Sequence, residues 1–491
     1  MDNFGFTHKS GILMAVSSLP SPYGIGTFGA PCEKWIDFLA STRTTCWQVL
    51  PLNPTAYGDS PYQSPASAAG NPYFIDLEDL AARDLLTQEE LRSAHHAAGS
   101  VDYGWLFGTR IALLRKAFAR FHGEAWYTRF CQANADWLDD YALFMALKCA
   151  NDYRPWNQWE PQYKCYAEAR THRDRFSSEM GFWRWVQYTF FRQWRHVQSY
   201  AHRKGIRIVG DMPIYVAYDS VDVWRAPDMF LLDADLDPTC VAGCPPDGFS
   251  PDGQLWGNPI YDWDAMQRDD YRWWVARIRQ NMRLYDILRI DHFRGFAGYF
   301  SIPYGDATAR GGHWEQGPGK ALFATINREL PGTRIIAEDL GFITPEVREL
   351  LDFCGYPGMK ILQFAFFDDD AEYLPRMYTT DNCVVYTGSH DSDCTRTWCR
   401  NLEGDVLERF RRECPTAGRT RTQALIDMAL ASRANLAVIP LQDWLGLTNE
   451  EGRMNTPSVP YGNWTWRIVR MPYRNVRSLI RAKNKEFGRS K

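Results

Sequence analysis

Short apolar runs that stop at a polar or acidic residue recur along this chain. They cover residues 12–17, 46–50, 206–209, 287–290, 334–337, 360–364, 383–386 and 436–441. The residues just beyond these runs differ in chemistry. Gly210-Asp211 ends the third run, Asp291 the fourth and Glu338-Asp339 the fifth. His390-Asp391 comes shortly after the seventh, and Gln442-Asp443 after the eighth. Runs with no strict alternation fit strands buried on both faces, as in a parallel sheet covered by helices. Stretches of helical period lie between most of them, among them 273–282, 345–353 and 422–434. Eight strand-and-helix alternations with functional side chains at the strand ends predict an α/β chain folded as a (β/α)8 TIM barrel, active at its C-terminal face. A doubly wound open sheet needs a glycine-rich phosphate turn after an early strand. Gly24-Ile25-Gly26 lacks the third glycine and the helix start that such a turn requires.

The chain has 491 residues, well above the roughly 250 of a plain barrel. Two insertions absorb the excess. Residues 77–204, between the second and third strands, read as mainly helical, with 105–121 and 183–202 the clearest helices. Residues 219–270, after the third strand, are dense in Pro, Gly and Asp and read as a loop-rich cover over the active site. The expected organisation is one catalytic domain over 1–491, without a separate C-terminal β-sandwich.

Composition narrows the function classes. Net charge is −4, so no global basic field attracts nucleic acid or an anionic membrane. The arginines at 409, 411, 412, 419 and 421, and the basic stretch from Arg477, are mixed with helix formers and read as solvated faces. No run approaches the ~20 apolar residues of a membrane span. The run 12–16 is shorter than the roughly 7–15 residues of a secretory core. Twelve cysteines are scattered, and the close pairs Cys240/Cys244 and Cys394/Cys399 lack zinc-site spacing. The expectation is a soluble, cytoplasmic protein with reduced thiols. With 20 Trp, 25 Tyr and 27 Phe, the chain also carries flat apolar faces of the kind that stack on sugar rings.

Asp291, Glu338 and Asp391 stand at the ends of three different predicted strands. Two residues apart on one strand, Arg289 and Asp291 share a face, and an arginine beside a carboxylate favours its charged form. Glu338 has no basic residue nearer in sequence than Arg334; partial desolvation there raises its pKa, as a general acid requires. One charged and one protonated carboxyl about 5–5.5 Å apart are what retaining glycoside cleavage needs. Any one of these residues alone serves as readily as a helix cap or a structural ion-pair partner. Their common location, joined by Asp211, is what favours chemistry.

Longer motifs identify a family. WQVLPLNPTAYGDSPYQSPASAAGNPYFIDL from Trp47, GDMPIYVAYDSVDVW from Gly210, PPDGFSPDGQLWGNPIYDW from Pro245, RIDHFRG from Arg289, IIAEDLG from Ile335, PGMKILQFAF from Pro357, TGSHDSD from Thr387 and MNTPSVPYGNWTWR from Met454 run in this order. The chain resembles the 4-α-glucanotransferases (amylomaltases, or disproportionating enzymes) of the α-amylase superfamily, over nearly its whole length. The resemblance implies Asp291 as nucleophile, Glu338 as acid/base and Asp391 gripping the 2- and 3-hydroxyls of the transferred sugar, with Arg289 and His390 beside it. It implies a donor pocket of Tyr62, Asp59, Ser60, Asp211, Phe364 and Asn463, an acceptor side of Trp256, Asp247 and Asn258, and a secondary glucan groove at Tyr57. It further implies maltooligosaccharides and α-1,4-glucans as partners, with no cofactor, metal, nucleic acid or membrane, and it fixes no oligomeric state. Cys244 and Cys394 depart from the family pattern, where a small aliphatic residue and a threonine are usual. The rival readings are a hydrolase using the same residues with water as acceptor, and a non-catalytic glucan-binding protein.

Overall fold

The computed structural model describes residues 5–96, 99–246, 250–472 and 474–490 and, of Tyr57, the backbone alone. Eight strands close a barrel: β1 Lys9–Leu13, β2 Cys46–Gln48, β3 Arg207–Met212, β4 Ile287–Ile290, β5 Ile335–Ala337, β6 Gly358–Ile361, β7 Cys383–Tyr386 and β8 Leu436–Pro440. Each pairs in parallel with its neighbours in chain order, and β8 closes on β1. The strands are buried almost throughout, which accounts for their continuous apolar sequences.

All eight predicted strands exist, but β3 runs on past 209 to Met212, so that Asp211 lies within it, and two others are displaced. β1 begins and ends earlier than 12–17, and Val16–Ser18 is a 3-10 turn; β6 ends at Ile361, and Leu362–Phe364 is another such turn. Both turns bury an apolar side chain, Val16 in the first and Leu362 in the second. Hydrophobicity therefore continues past the last ladder hydrogen bond, and it marks burial rather than strand ends.

Between β2 and β3 lie helices that pack around Ser177–Arg203, a helix of 27 residues. Its buried Trp183, Val186, Phe190, Trp194, Val197 and Ala201 recur at three- and four-residue spacing, which places them on one face. Two glutamines on this helix hold the loop that comes after β2. Gln187 exchanges bonds with the Gly70 backbone (2.7 and 2.9 Å), and Gln193 does the same with Asp76 (2.7 and 3.1 Å). From within that loop, the Asn53 amide reaches the carbonyls of Ala66, Ser67 and Ala69. The helical insertion thus braces the segment that carries Ser60 and Tyr62.

The stretch 219–270 is more ordered than its loop-like composition predicts. Strands Cys240–Cys244 and Gln254–Pro259 pair antiparallel, and the first also pairs with Gly298–Pro303, which pairs in turn with His313–Gln316. The partner strand lies beyond β4, so no local hairpin signal announces this four-stranded sheet.

Gly210 is a close-approach position in β3. A Cβ there would lie 2.1 Å from the ring of Tyr285, immediately before Asp211. Arg489 closes the opposite end of the barrel. It is fully buried, and its guanidinium donates to the carbonyls of Leu430, Lys9, Ala434 and Ser432 at 2.6, 2.8, 3.1 and 2.7 Å. Burial lowers its pKa to about 10, so it stays charged at neutral pH. Removing it strands four carbonyls around a void. Arg489→Ala is expected to lower stability by roughly 2–4 kcal/mol, read as a thermal midpoint several degrees lower, with Arg489→Lys recovering less than half of the loss. An unchanged midpoint would refute this role.

Candidate active site

Register between neighbouring strands brings the carboxylates together. Asp211 in β3 pairs with Arg289 in β4, and Ile290 pairs with Ala337 in β5. Asp291 and Glu338 are the next residues on adjacent strands, whose backbones run about 4.8 Å apart. The backbone continues this match: the Glu338 N–H donates to the Ile290 carbonyl at 3.0 Å and the Phe293 N–H to the Glu338 carbonyl at 2.9 Å. Both side chains face one cavity of about 660 Å³, shared with His390, Asp391, Trp256 and residues 455–460.

Beneath its floor lies a buried ion pair. Arg289 Nη1 contacts both carboxylate oxygens of Asp211, at 2.6 and 2.7 Å, with side-chain exposures of 3% and 0%. The other terminal nitrogen reaches Asp291 Oδ1 at 3.0 Å. The network continues upward from Asp211. The Tyr62 hydroxyl donates to Asp211 Oδ2 at 2.8 Å and lies 2.9 Å from His390 Nε2, which lies 3.2 Å from Asp391 Oδ2. Since Tyr62 spends its proton on Asp211, its oxygen accepts from an Nε2–H of His390. The Tyr62 ring stacks on His390, at 5.3 Å between centroids.

The sequence places the negative charge on Asp291, and the groups around it oppose this. Enclosure raises the Asp291 pKa; Arg289 works against that rise, while Glu338, Asp211 and Asp391 add to it. The guanidinium expected to hold Asp291 charged makes its two shortest contacts with Asp211 instead. Glu338 is buried, and its carboxylate accepts backbone N–H groups of His292 at Oε2 (2.7 Å) and Leu340 at Oε1 (2.9 Å). His292 achieves this geometry from a left-handed backbone, φ 49°. Burial and Arg294 hold its imidazole down at about 3, so it is neutral, and its ring meets Trp256 edge to face at 4.9 Å. Asp391 is the opposite case. Enclosure raises its pKa, but His390 and the Asn455 amide outweigh this and hold it at about 2. Burial lowers the pKa of His390, and the Asp391 carboxylate reverses this, with a net rise.

The remaining candidates divide. Ser60, Tyr62, Trp256, Asn258 and Asn463 line the cavity. Two of these amides already have protein partners: Asn258 binds Gln63 and the Val216 carbonyl, and Asn463 holds Thr456 and Val459. Asp59 and Phe364 are not among the lining residues. Asp59 is raised by burial and by Asp102, and Phe364 meets Tyr373 edge to face. Asp247 lies outside the described residues, as does the side chain of Tyr57. The sequence gives no sign of roles for His292 and Asn455, although each sits inside a family motif. His292 acts through its backbone, and Asn455 reaches Asp391 from 64 positions away.

Among the described residues, no group of three or more His, Cys, Asp or Glu is arranged to hold a metal ion, and no helix is long and apolar enough to cross a membrane.

The comparisons agree with this geometry. A family model described as 4-alpha-glucanotransferase matches residues 14–471. A 4-alpha-glucanotransferase of Clostridium butyricum is 44% identical over 467 residues, covering 92% of this chain and 95% of its own. One of Thermus thermophilus is 44% identical over 476 residues, covering 94% of each. A solved amylomaltase from Streptococcus agalactiae, in complex with acarbose, superposes with a TM-score of 0.94 at 36% identity, over 98% of this chain and all of that one. Barrel, carboxylate geometry and near full-length similarity converge, and the chain belongs to the 4-alpha-glucanotransferase family.

Proposed function

We propose that this 4-α-glucanotransferase moves segments of α-1,4-glucans between maltooligosaccharides by double displacement, with retention of configuration. The observation that carries the reading is the neighbouring-strand placement of Asp291 and Glu338 on one cavity, compatible with the ~5–5.5 Å separation of retaining enzymes. Glu338 protonates the glycosidic oxygen while Asp291 attacks the anomeric carbon. The C–O bond breaks, the released glucan leaves with the proton, and a β-glucosyl ester forms on Asp291. Glu338, now a carboxylate, takes the proton of an incoming 4-hydroxyl, whose oxygen displaces Asp291.

This sequence needs the pair's proton on Glu338 when the bond breaks. Two interacting carboxyls titrate as a unit. Positive charge developing at the anomeric carbon favours the charged form of Asp291, so a bound glucan drives the proton toward Glu338. Asp391, charged across the working range, accepts from sugar hydroxyls beside His390 and Arg289. Tyr62, Asp59, Ser60, Asp211, Phe364 and Asn463 belong to the donor side in this reading. Trp256, Asn258 and Asp247 belong to the acceptor side, and Tyr57 to a secondary groove. The reading also takes 1–491 as one catalytic domain, with 77–204 and 219–270 as insertions. Twelve free thiols support a reducing, cytoplasmic location.

Four outcomes test it. With maltotriose, chains lengthen and shorten while the number of reducing ends stays constant; a steady rise would favour the hydrolase. Asp291→Asn and Glu338→Gln each lose at least about 10³-fold in transfer, and retention of activity in either would remove that residue from its role. The raised pKa of Asp291 means that its neutral, non-nucleophilic form persists to higher pH than an ordinary aspartate's, and competence appears as pH rises through that value. The acidic limb of kcat/KM is therefore expected well above pH ~4; a limb at or below that value contradicts the assignment. Trp256→Ala is expected to raise the acceptor KM about 3–10-fold with a smaller effect on the first displacement, measured by varying acceptor at fixed donor.

A further inference from the structure

One wall of the cavity is a compact loop with its own internal bonding. The Trp464 N–H closes it on the Met454 carbonyl at 2.8 Å, and the Val459 N–H reaches the Thr456 carbonyl at 3.2 Å. The Asn463 amide spans it, accepting from the Thr456 N–H at 2.9 Å and donating to the Val459 carbonyl at 2.7 Å. These bonds hold 454–464 together as a unit, whatever it rests on. Its tip is in solvent, with Tyr461 at 73% exposure. Its inner face supplies Thr456, Pro457, Val459 and Pro460 to the cavity.

Its attachment to the barrel runs through the turn that carries Asp391. Asn455 Nδ2 donates to Asp391 Oδ1 at 2.6 Å, and the Asn455 N–H to the His390 carbonyl at 3.2 Å. Arg453 reaches the Asp391 carbonyl at 3.3 Å, pairs with Asp393, and donates to the Asn455 carbonyl at 2.9 Å. Asp391 is therefore engaged at both oxygens, with the Asn455 amide donating to Oδ1 and the His390 ring paired with Oδ2 at 3.2 Å, and its side chain is still 42% exposed to the cavity. A carboxylate held at both oxygens has one rotamer, and its remaining lone pairs have fixed directions.

We propose that Asn455 is a positioning residue that fixes the Asp391 carboxylate and latches the 454–464 wall onto it, so that the grip on the donor sugar and the closure of the cleft wall are set together. The inference rests on the glucanotransferase reading and deepens it: water exclusion, on which transfer rather than hydrolysis depends, is tied to the residue that holds the transferred sugar. It also explains a 2.6 Å contact between an amide on a surface loop and a carboxylate of the site, which the reaction itself does not require.

The charged groups around Asp391 sharpen the test. His390 and Arg289 face it from the barrel, Arg453 from the wall, and Asp291 and Asp211 add negative charge nearby. Asn455→Asp keeps the shape but sets a second carboxylate oxygen where the 2.6 Å donor stood. The two oxygens can stay there only by sharing a proton, so the pair's apparent pKa rises. At neutral pH the latch is repelled, and on acidification the shared proton restores it.

Maltotriose disproportionation and reducing-end release are measured for wild type, Asn455→Asp and Asn455→Ala from pH 5 to 8, with thermal midpoints as a folding control. For Asn455→Asp, kcat relative to wild type at the same pH is expected to rise at least about tenfold from pH 7.5 to 5.5. A ratio that does not change with pH overturns the proposal. Asn455→Ala introduces no charge; its kcat is expected to fall at least about tenfold with KM changed less than about threefold, and its hydrolysed fraction to rise. A wild-type kcat and transfer ratio in Asn455→Ala also overturn it. The wild-type control separates the two claims: failure to redistribute maltotriose at a constant number of reducing ends counts against the glucanotransferase reading, whereas normal wild-type transfer with pH-parallel variants counts against the latch alone.

Discussion

A buried guanidinium must be surrounded by acceptors, and Arg289 has two carboxylates and a methionine sulfur within reach. Taking this charge out of water costs several kcal/mol, which the Asp211 pair offsets only through its two short contacts. A hydrophobic pair would fill β3 and β4 more simply. What the ion pair supplies is orientation. Arg289 cannot rotate without losing Asp211, so its second nitrogen stays directed at Asp291. Asp211 is occupied on both oxygens and fixes the Tyr62 hydroxyl, which aligns His390, which holds Asp391. From Asp291 to Asp391 the polar groups form one chain of ion pairs and hydrogen bonds along the barrel floor.

That chain exists because of register. A one-residue slip between β3 and β4 would move Arg289 off Asp211 and reverse the facing of every side chain on the strand. Register in turn depends on features remote from the chemistry. Gly210 admits the Tyr285 ring, whose hydroxyl accepts the Leu52 N–H at 3.3 Å. The long helix holds the loop after β2 through Gln187 and Gln193, and that loop delivers Tyr62. The two insertions therefore work at different distances from the cleft: the helical one braces donor-side residues from behind, and the sheet that includes Gln254–Pro259 brings Trp256 directly against His292.

The barrel was readable because each strand is a continuous apolar run ending in a residue unsuited to burial, and the order of those endings is the order of the site. Asp291 and Glu338 could be brought together from sequence because adjacent parallel strands align their C-terminal ends. Strand limits at β1 and β6 were not readable, since apolar residues continue beyond them at Met14, Ala15, Val16 and Leu362. The small sheet escaped notice because its central pairing joins residues about sixty positions apart. The rise in the Asp291 pKa also eluded sequence reasoning. Proximity of Arg289 to Asp291 can be inferred from spacing two, but the prior claim of Asp211 on that guanidinium is a property of the neighbouring strand. His292 and Asn455 illustrate a further limit: one contributes its backbone in a left-handed conformation, the other an amide from a distant loop, and neither leaves a compositional trace.

The surroundings of Asp291 and the reaction place different demands on one proton. Asp291 bears the cost of enclosure beside three other carboxyls and is disposed to stay neutral. That arrangement limits the number of uncompensated negative charges in a buried cluster. A reacting sugar changes the balance, because its anomeric carbon becomes positive as the bond breaks. That change favours a charged Asp291 at the moment when charge is useful. An Asp291 held permanently ionised by a dedicated arginine would be stabilised equally before and during the reaction, and such uniform stabilisation does not lower a barrier. Sharing Arg289 with Asp211 leaves part of the stabilisation of Asp291 to be supplied by the transition state itself.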